Sequence, residues 1–303
     1  MKSDDQTLIL RKKVVKLHIT FDDIVSATNN FADDNLIKRG SIADVHKGKL
    51  RSNEQSDVFI RRFRPSSGLR YLKFLKEVAT LSHLNHRNIL SFVGFCDDNL
   101  EMMLIFKYED NGSLDRYLGD PNLTWSQKLK ICVGVANALR YIHKVTERYL
   151  YHGFSQYIKS TKILLDKHWE AKLCCFGFHI NNDNNNDIIH IEDYINNGVA
   201  LRSPSQVSYV YSFGIVLFEV ICGRKEPIGD DKSLVSVATR LYEEGKLDDM
   251  INSDLRKQMH PLSLPIFSQL AYDCVKKRPR MVLIMGRLKD ASDLISTHER
   301  LVR

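Results

Sequence analysis

The sequence lacks any apolar run approaching the roughly 18–20 residues that a membrane-crossing helix needs. It also lacks a secretory signal, because it starts Met1-Lys2-Ser3-Asp4-Asp5, polar where a signal is apolar. Position 2 is not glycine, so the N-myristoylation signal is missing. The six cysteines (96, 132, 174, 175, 222 and 274) lack zinc-site spacing. Most stand in apolar runs such as Phe95-Cys96 and Ile221-Cys222, as buried thiols of a reducing compartment do. Nor is there a strong charge of one sign: 44 basic against 37 acidic residues leave +7, spread along the chain, which argues against a nucleic-acid partner. One short basic run, Arg11-Lys12-Lys13 with Lys16, suits either an acidic membrane face or plain solvation. The expectation is an intracellular, cytoplasmic chain without a transmembrane segment.

What is present is a globular composition, 43% hydrophobic and 27% charged over 303 residues, enough for one large two-lobed domain or two ordinary ones. Residues 1–20 show no clear element, whereas 21–30 carry apolar residues at a short helical spacing. Alternation over 36–64, broken by Gly40, Gly48 and the polar stretch 51–57, predicts a strand hairpin and a third strand. Helical spacing over 69–84 follows, then strands near 89–95 and 101–108, and a turn-rich connector at 108–112. Beyond it, helices are expected at 113–118, 124–143, 210–222, 233–245, 261–275 and 281–296, with short strands at 163–165 and 171–173. The polar tract 181–187 reads as a mobile loop. A strand-rich front with one helix and a helical back is an α+β, two-lobe plan.

Several ordered motifs now carry a resemblance. Asn85-His86-Arg87-Asn88-Ile89-Leu90, Asn111-Gly112-Ser113-Leu114, Ile158-Lys159-Ser160-Thr161, Cys175-Phe176-Gly177 and Val210-Tyr211-Ser212-Phe213-Gly214 resemble a protein kinase domain of the plant receptor-like kinase family. The similarity runs from about Phe21 to about Ser296. It implies a small antiparallel β-sheet N-lobe with one helix, residues 34–107, and a larger helical C-lobe, residues 108–300. Residues 1–33 are then a juxtamembrane-like extension.

The same resemblance implies altered chemistry. Kinases hold Mg²⁺ with the Asp of Asp-Phe-Gly, and here Cys175 offers a soft thiol to a hard cation. The proton-accepting Asp of the catalytic loop becomes Phe154, and the second metal-binding Asn becomes Lys162, a cation where a cation should bind. The Gly-rich loop falls on Lys38, Gly40 and Ala43, so only the middle glycine survives, with Val45 as the nucleotide roof; a plain β-turn also explains Gly40. Arg61 replaces the phosphate-binding Lys, and an ion pair with Glu77 is expected. Phe106 is gatekeeper-like, and backbone groups near Tyr108 are available to a purine. Ser205 replaces a Glu that would partner Arg278, and Tyr209 stands where an Asp braces the catalytic loop. Leu81, His152 and Phe176 resemble the apolar spine. Asp166 and Glu170 are alternative carboxylates, read more simply as loop residues.

The reading is a pseudokinase, not an enzyme, with no catalytic residue, no metal and no cofactor: Mg²⁺ is disfavoured and ATP binding weakened. Gly40, Val45, Arg61, Glu77, Phe106 and Tyr108 form its vestigial nucleotide cleft. Its role is scaffold, decoy or allosteric partner of an active receptor-like kinase, in the cytoplasm or at the inner face of the plasma membrane. The alternative is a weak or unconventional ATP-binding serine/threonine kinase.

Overall fold

The computed structural model describes residues 2–51, 56–65, 71–149, 158–174, 206–225, 233–251 and 253–301. Two compact units emerge, one carrying the chain up to Glu109 and the other beginning at Asp110.

The first unit is built on an antiparallel sheet in the order β1-β2-β3-β5-β4. Its strands are β1 (Leu36–Lys38), β2 (Ala43–Leu50), β3 (Ser56–Phe63), β4 (Phe92–Cys96) and β5 (Met103–Lys107). Side chains alternate between faces along a strand, and opposed residues share one. One face therefore carries Val58, Ile60, Met103 and Ile105, which pack with buried Ile24. Ile24 lies on α2 (Phe21–Ala27), whose start is capped by the Thr20 hydroxyl accepting from Asp23 N at 3.2 Å. The helix ends three residues short of expectation because Asn29, Asn30 and Phe31 turn left-handed, at φ 48°, 54° and 54°. The opposite face carries Phe63, which meets Phe74 of α3 (Tyr71–Ser82) edge-on at 6.2 Å.

The expectation of no element in residues 1–20 is corrected: α1 spans Lys2–Val14 and packs on α3. Its own sequence has no clean apolar stripe, so tertiary contacts decide it. Arg11 holds Asp97 with Nε–Oδ2 at 2.6 Å and Nη2–Oδ1 at 2.9 Å, and Val14 is buried. Beyond α1, Ile19 N donates to Phe95 O at 2.8 Å, so the segment runs along the edge strand β4.

The second unit holds α4 (Trp125–Tyr149), the antiparallel pair β6 (Ile163–Leu165) and β7 (Ala171–Leu173), then α5 (Gln206–Cys222), α6 (Leu234–Glu243), α7 (Ser253–Gln258), α8 (Ser263–Lys276) and α9 (Met281–Leu301). A capping box opens α4: Thr124 N donates to Gln127 Oε1 at 2.9 Å, and Gln127 N to Thr124 Oγ1 at 3.3 Å. Val210, Phe213, Val216, Leu217 and Val220 are all buried, which explains why α5 is apolar around its circumference. It crosses α8 closely at Gly214, where a Cβ would come within 2.8 Å of Cys274 Cβ. The tract 181–187 lies outside the described residues.

Candidate functional site

In the first unit, the surviving glycine of the phosphate-covering loop sits in the turn between β1 and β2. A Cβ on Gly40 would lie 2.5 Å from Ala43 O, so the turn itself demands glycine. Its N–H donates to Asp44 Oδ1 at 3.1 Å. Asp44 is in turn gripped by Arg64 Nη2 at 2.8 and 3.1 Å, and this bond leads the causes that hold its carboxyl below the ordinary range. A backbone donor that a phosphate loop would aim at its ligand is thus committed to a carboxylate.

Val45, Arg61 and Leu104 lie opposite one another across β2, β3 and β5, on the same face as the next row, Lys47, Phe59 and Phe106. The Arg61 guanidinium lies 4.7 Å from the Phe63 ring centroid. Phe106 is buried, stacked on Phe59 at 5.1 Å and edge-on to Phe92 at 5.4 Å. Tyr108 N donates to Asp57 O at 3.0 Å, and Lys107 N to Ser91 O at 2.9 Å. Both N–H groups have protein acceptors, which narrows the expected backbone pairing with a purine.

Glu77 projects from α3 with Oε1 buried and lacking a hydrogen-bond partner among the described residues. Desolvation pushes its carboxyl up to about 7, opposed by the positive charges of Arg61 and Lys73. The expected Arg61–Glu77 pair is therefore a through-space attraction that leaves Oε1 without a hydrogen bond.

In the second unit, Lys162 closes a 3₁₀ turn, and its carbonyl accepts from Cys174 N at 2.8 Å. The backbone thus brings the second metal position beside the residue that precedes Cys175. Phe154, Cys175, His152, Phe176 and Ser205 lie outside the described residues. Tyr209 turns its hydroxyl to His143 Nδ1, at 3.1 Å. One helical turn later, Ser212 Oγ accepts from Ile158 N at 3.1 Å and donates to Tyr209 O at 3.2 Å. Ser212, which sequence reasoning quoted in the 210–214 motif but gave no role, therefore holds the chain at Ile158, between the Phe154 and Lys162 positions. Besides that motif, its signal was a position three residues beyond Tyr209, on the same face of α5.

Asp166 accepts from His168 N and Glu170 N, each at 2.9 Å, and pairs with Lys172 at 3.2 Å. Burial opposes its ionisation, but these donors outweigh burial and hold its carboxyl low. It is a turn-forming residue, and Glu170, 3.8 Å from the same lysine, belongs to that turn. Arg278 adopts φ 51° and lies 5.5 Å from the Tyr211 ring centroid, with Nε buried and unbonded among the described residues.

Residues 32–281 match the family model described as protein tyrosine and serine/threonine kinase. From Arabidopsis thaliana, Receptor-like protein kinase HERK 1 is 33% identical over 297 residues, covering 91% of this chain and 35% of the relative. Receptor-like protein kinase FERONIA is 30% identical, covering 93% of this chain and 33% of the relative. THESEUS 1, also a receptor-like protein kinase, is 31% identical with 93% and 34% covered. The chain spans about a third of the length of these curated relatives. These matches overturn the expectation that the chain is not an enzyme, because the family model and the relatives are all named as kinases. That expectation counted substituted groups. A count is no rate: base and metal each supply part of the barrier reduction, and positioning supplies another part. With a family match spanning most of its length and relatives that agree, the chain belongs to the plant receptor-like protein kinase family and carries its kinase domain.

Proposed function

We propose that this kinase domain acts chiefly by binding, as a scaffold, decoy or allosteric partner of another receptor-like kinase or signalling protein in plants, with weakened handling of Mg-ATP. On this reading residues 1–33 are an extension and 34–300 the kinase-like domain. The observation that carries it is the Cys174 N–Lys162 O bond, which joins the backbone of a lysine standing at the second metal position to the residue that precedes the substituted Asp. The committed N–H of Gly40 and the desolvated carboxyl of Glu77 support it further. Among the described residues no helix is long and apolar enough to cross a membrane; location in the cytoplasm or at the inner face of the plasma membrane is part of the proposal.

The second reading, an unconventional ATP-binding serine/threonine kinase, is favoured by the retained Val45 opposite the cationic Arg61 and by Glu77 on α3. A thermal-shift titration with ATP, with and without Mg²⁺, separates the two, since a ligand that binds only the folded state raises Tm. We expect little Mg²⁺-dependent shift in the natural chain and a larger one in the Lys162→Asn/Cys175→Asp variant. An equal, strong Mg²⁺-dependent shift in both, with phosphate transfer by the natural chain, favours the second reading. A companion assay adds the chain to a catalytically complete receptor-like kinase domain. A change in that domain's autophosphorylation rate is expected, and no binding and no change would sink the partner role.

A further inference from the structure

Where the N-terminal segment meets β4, three side chains of different chemistry converge. The nearest donor atoms of His18, Cys96 and Asp98 all lie within 4.8 Å of one another. His18 Nε2 stands 3.0 Å from Asp98 Oδ1, across 80 residues of sequence. We propose that these three residues form a binding site for a borderline-soft divalent cation of the zinc class, which would rivet the N-terminal segment to the kinase domain.

The donor set is one imidazole nitrogen, one thiolate and one carboxylate oxygen, a combination that suits zinc and disfavours magnesium or calcium. A tetrahedral ion with bonds of about 2.0–2.3 Å holds its ligand atoms roughly 3.3–3.8 Å apart. The His18–Asp98 contact needs only to open slightly, and the sulfur lies within reach. Thiolate and carboxylate together neutralise a dication.

The ligands are already positioned. Asp98 Oδ2 accepts from Phe21 N at 3.0 Å, and the His18 ring rests edge-on against Phe95 at 5.6 Å. Cys96 is buried, while the Asp98 side chain is 35% exposed, so an ion enters from the aspartate side. Asp97 is already matched by Arg11 and Glu101 by Arg62. Metal binding releases the Cys96 thiol proton, and Asp98 is the carboxylate left to meet the ion.

The competing account is a metal-free clasp in which His18 simply hydrogen-bonds Asp98. Titration of the reduced, metal-free full chain with Co²⁺ distinguishes them. We expect one tightly bound Co²⁺ per chain with a thiolate-to-metal charge-transfer band. That band should vanish in Cys96→Ser and persist in Cys132→Ser. His18→Gln, a partly exposed position, should weaken binding at least as much as the ~10–100-fold typical of losing an outer-shell partner. Should Cys96→Ser fail to fold by circular dichroism, His18→Gln and Asp98→Asn carry the test. No thiolate band in the natural chain, a band surviving in folded Cys96→Ser, or unchanged affinity in His18→Gln would each overturn the site.

Discussion

At the scale of single residues, burial raises or lowers several side chains against their charge partners. Glu77 is the clearest case, with a carboxyl raised to about 7 by desolvation that Arg61 and Lys73 only partly offset. A folded-state value above the unfolded one means the folded chain binds the extra proton. Stability is therefore lost as pH rises from the ordinary carboxylate range to about 7, and stays lost above it. Glu77→Gln removes the titration. We expect the variant to be more stable than the natural chain by about 1–3 kcal/mol near pH 8, with the gap shrinking near pH 5. Urea denaturation at both pH values checks this. Lys128 shows the same physics in a base: it is buried, bonds Leu123 O at 2.8 Å and Asp120 O at 3.2 Å, and desolvation lowers it to about 8.

At the scale of elements, α1 and the segment after it form a clasp on the first unit. Asp97 is its centre, bonded by Arg11 and also by the Tyr71 hydroxyl at 2.6 Å. Replacing Asp97 by alanine leaves both donors without their acceptor and should cost about 1–3 kcal/mol. Amide exchange in residues 5–14 should accelerate well beyond any change in β2 and β3. Gly94 serves the same clasp, because a Cβ there would lie 2.4 Å from Leu17 O. Gly94→Ala is expected to lift the segment from β4, lower Tm and expose the Arg11–Lys16 stretch to trypsin. Unchanged cleavage there would show that the clasp is not what orders α1.

Across the whole molecule, acid and base ends of the stability curve come from different groups. Asp273 is buried and accepts from Lys277 Nζ at 2.9 Å, Gln269 Nε2 at 3.1 Å and Arg287, tying α8 to α9. Burial raises its carboxyl, but these bonds prevail and hold it low, as the donors around Asp44 and Asp166 do for theirs. Such depressed carboxyls contribute stability above their unfolded values and lose it as pH falls through the folded ones. Combined with Glu77, which acts in the opposite sense, they place the stability maximum on the mildly acidic side of neutrality. Denaturation midpoints measured from about pH 3 to 8 test this, with a maximum above pH 7 as the contrary result.

The sequence by itself determined the α+β plan, the strand and helix order, and the family, because apolar periodicity and turn residues are local properties. It also located Gly40, Val45, Arg61, Glu77 and Lys162, since ordered motifs carry positions along the chain. It could not show that Oε1 of Glu77 has no hydrogen bond among the described residues, or that Ser212 rather than Tyr209 bonds Ile158, because hydrogen-bond choice depends on side-chain direction in the packed helix. Nor could it reveal α1, whose residues lack a stripe of their own. Only the tertiary structure brings Arg11 to Asp97, and His18 to Cys96 and Asp98 across 80 residues; no local pattern encodes a pairing that chain folding alone creates.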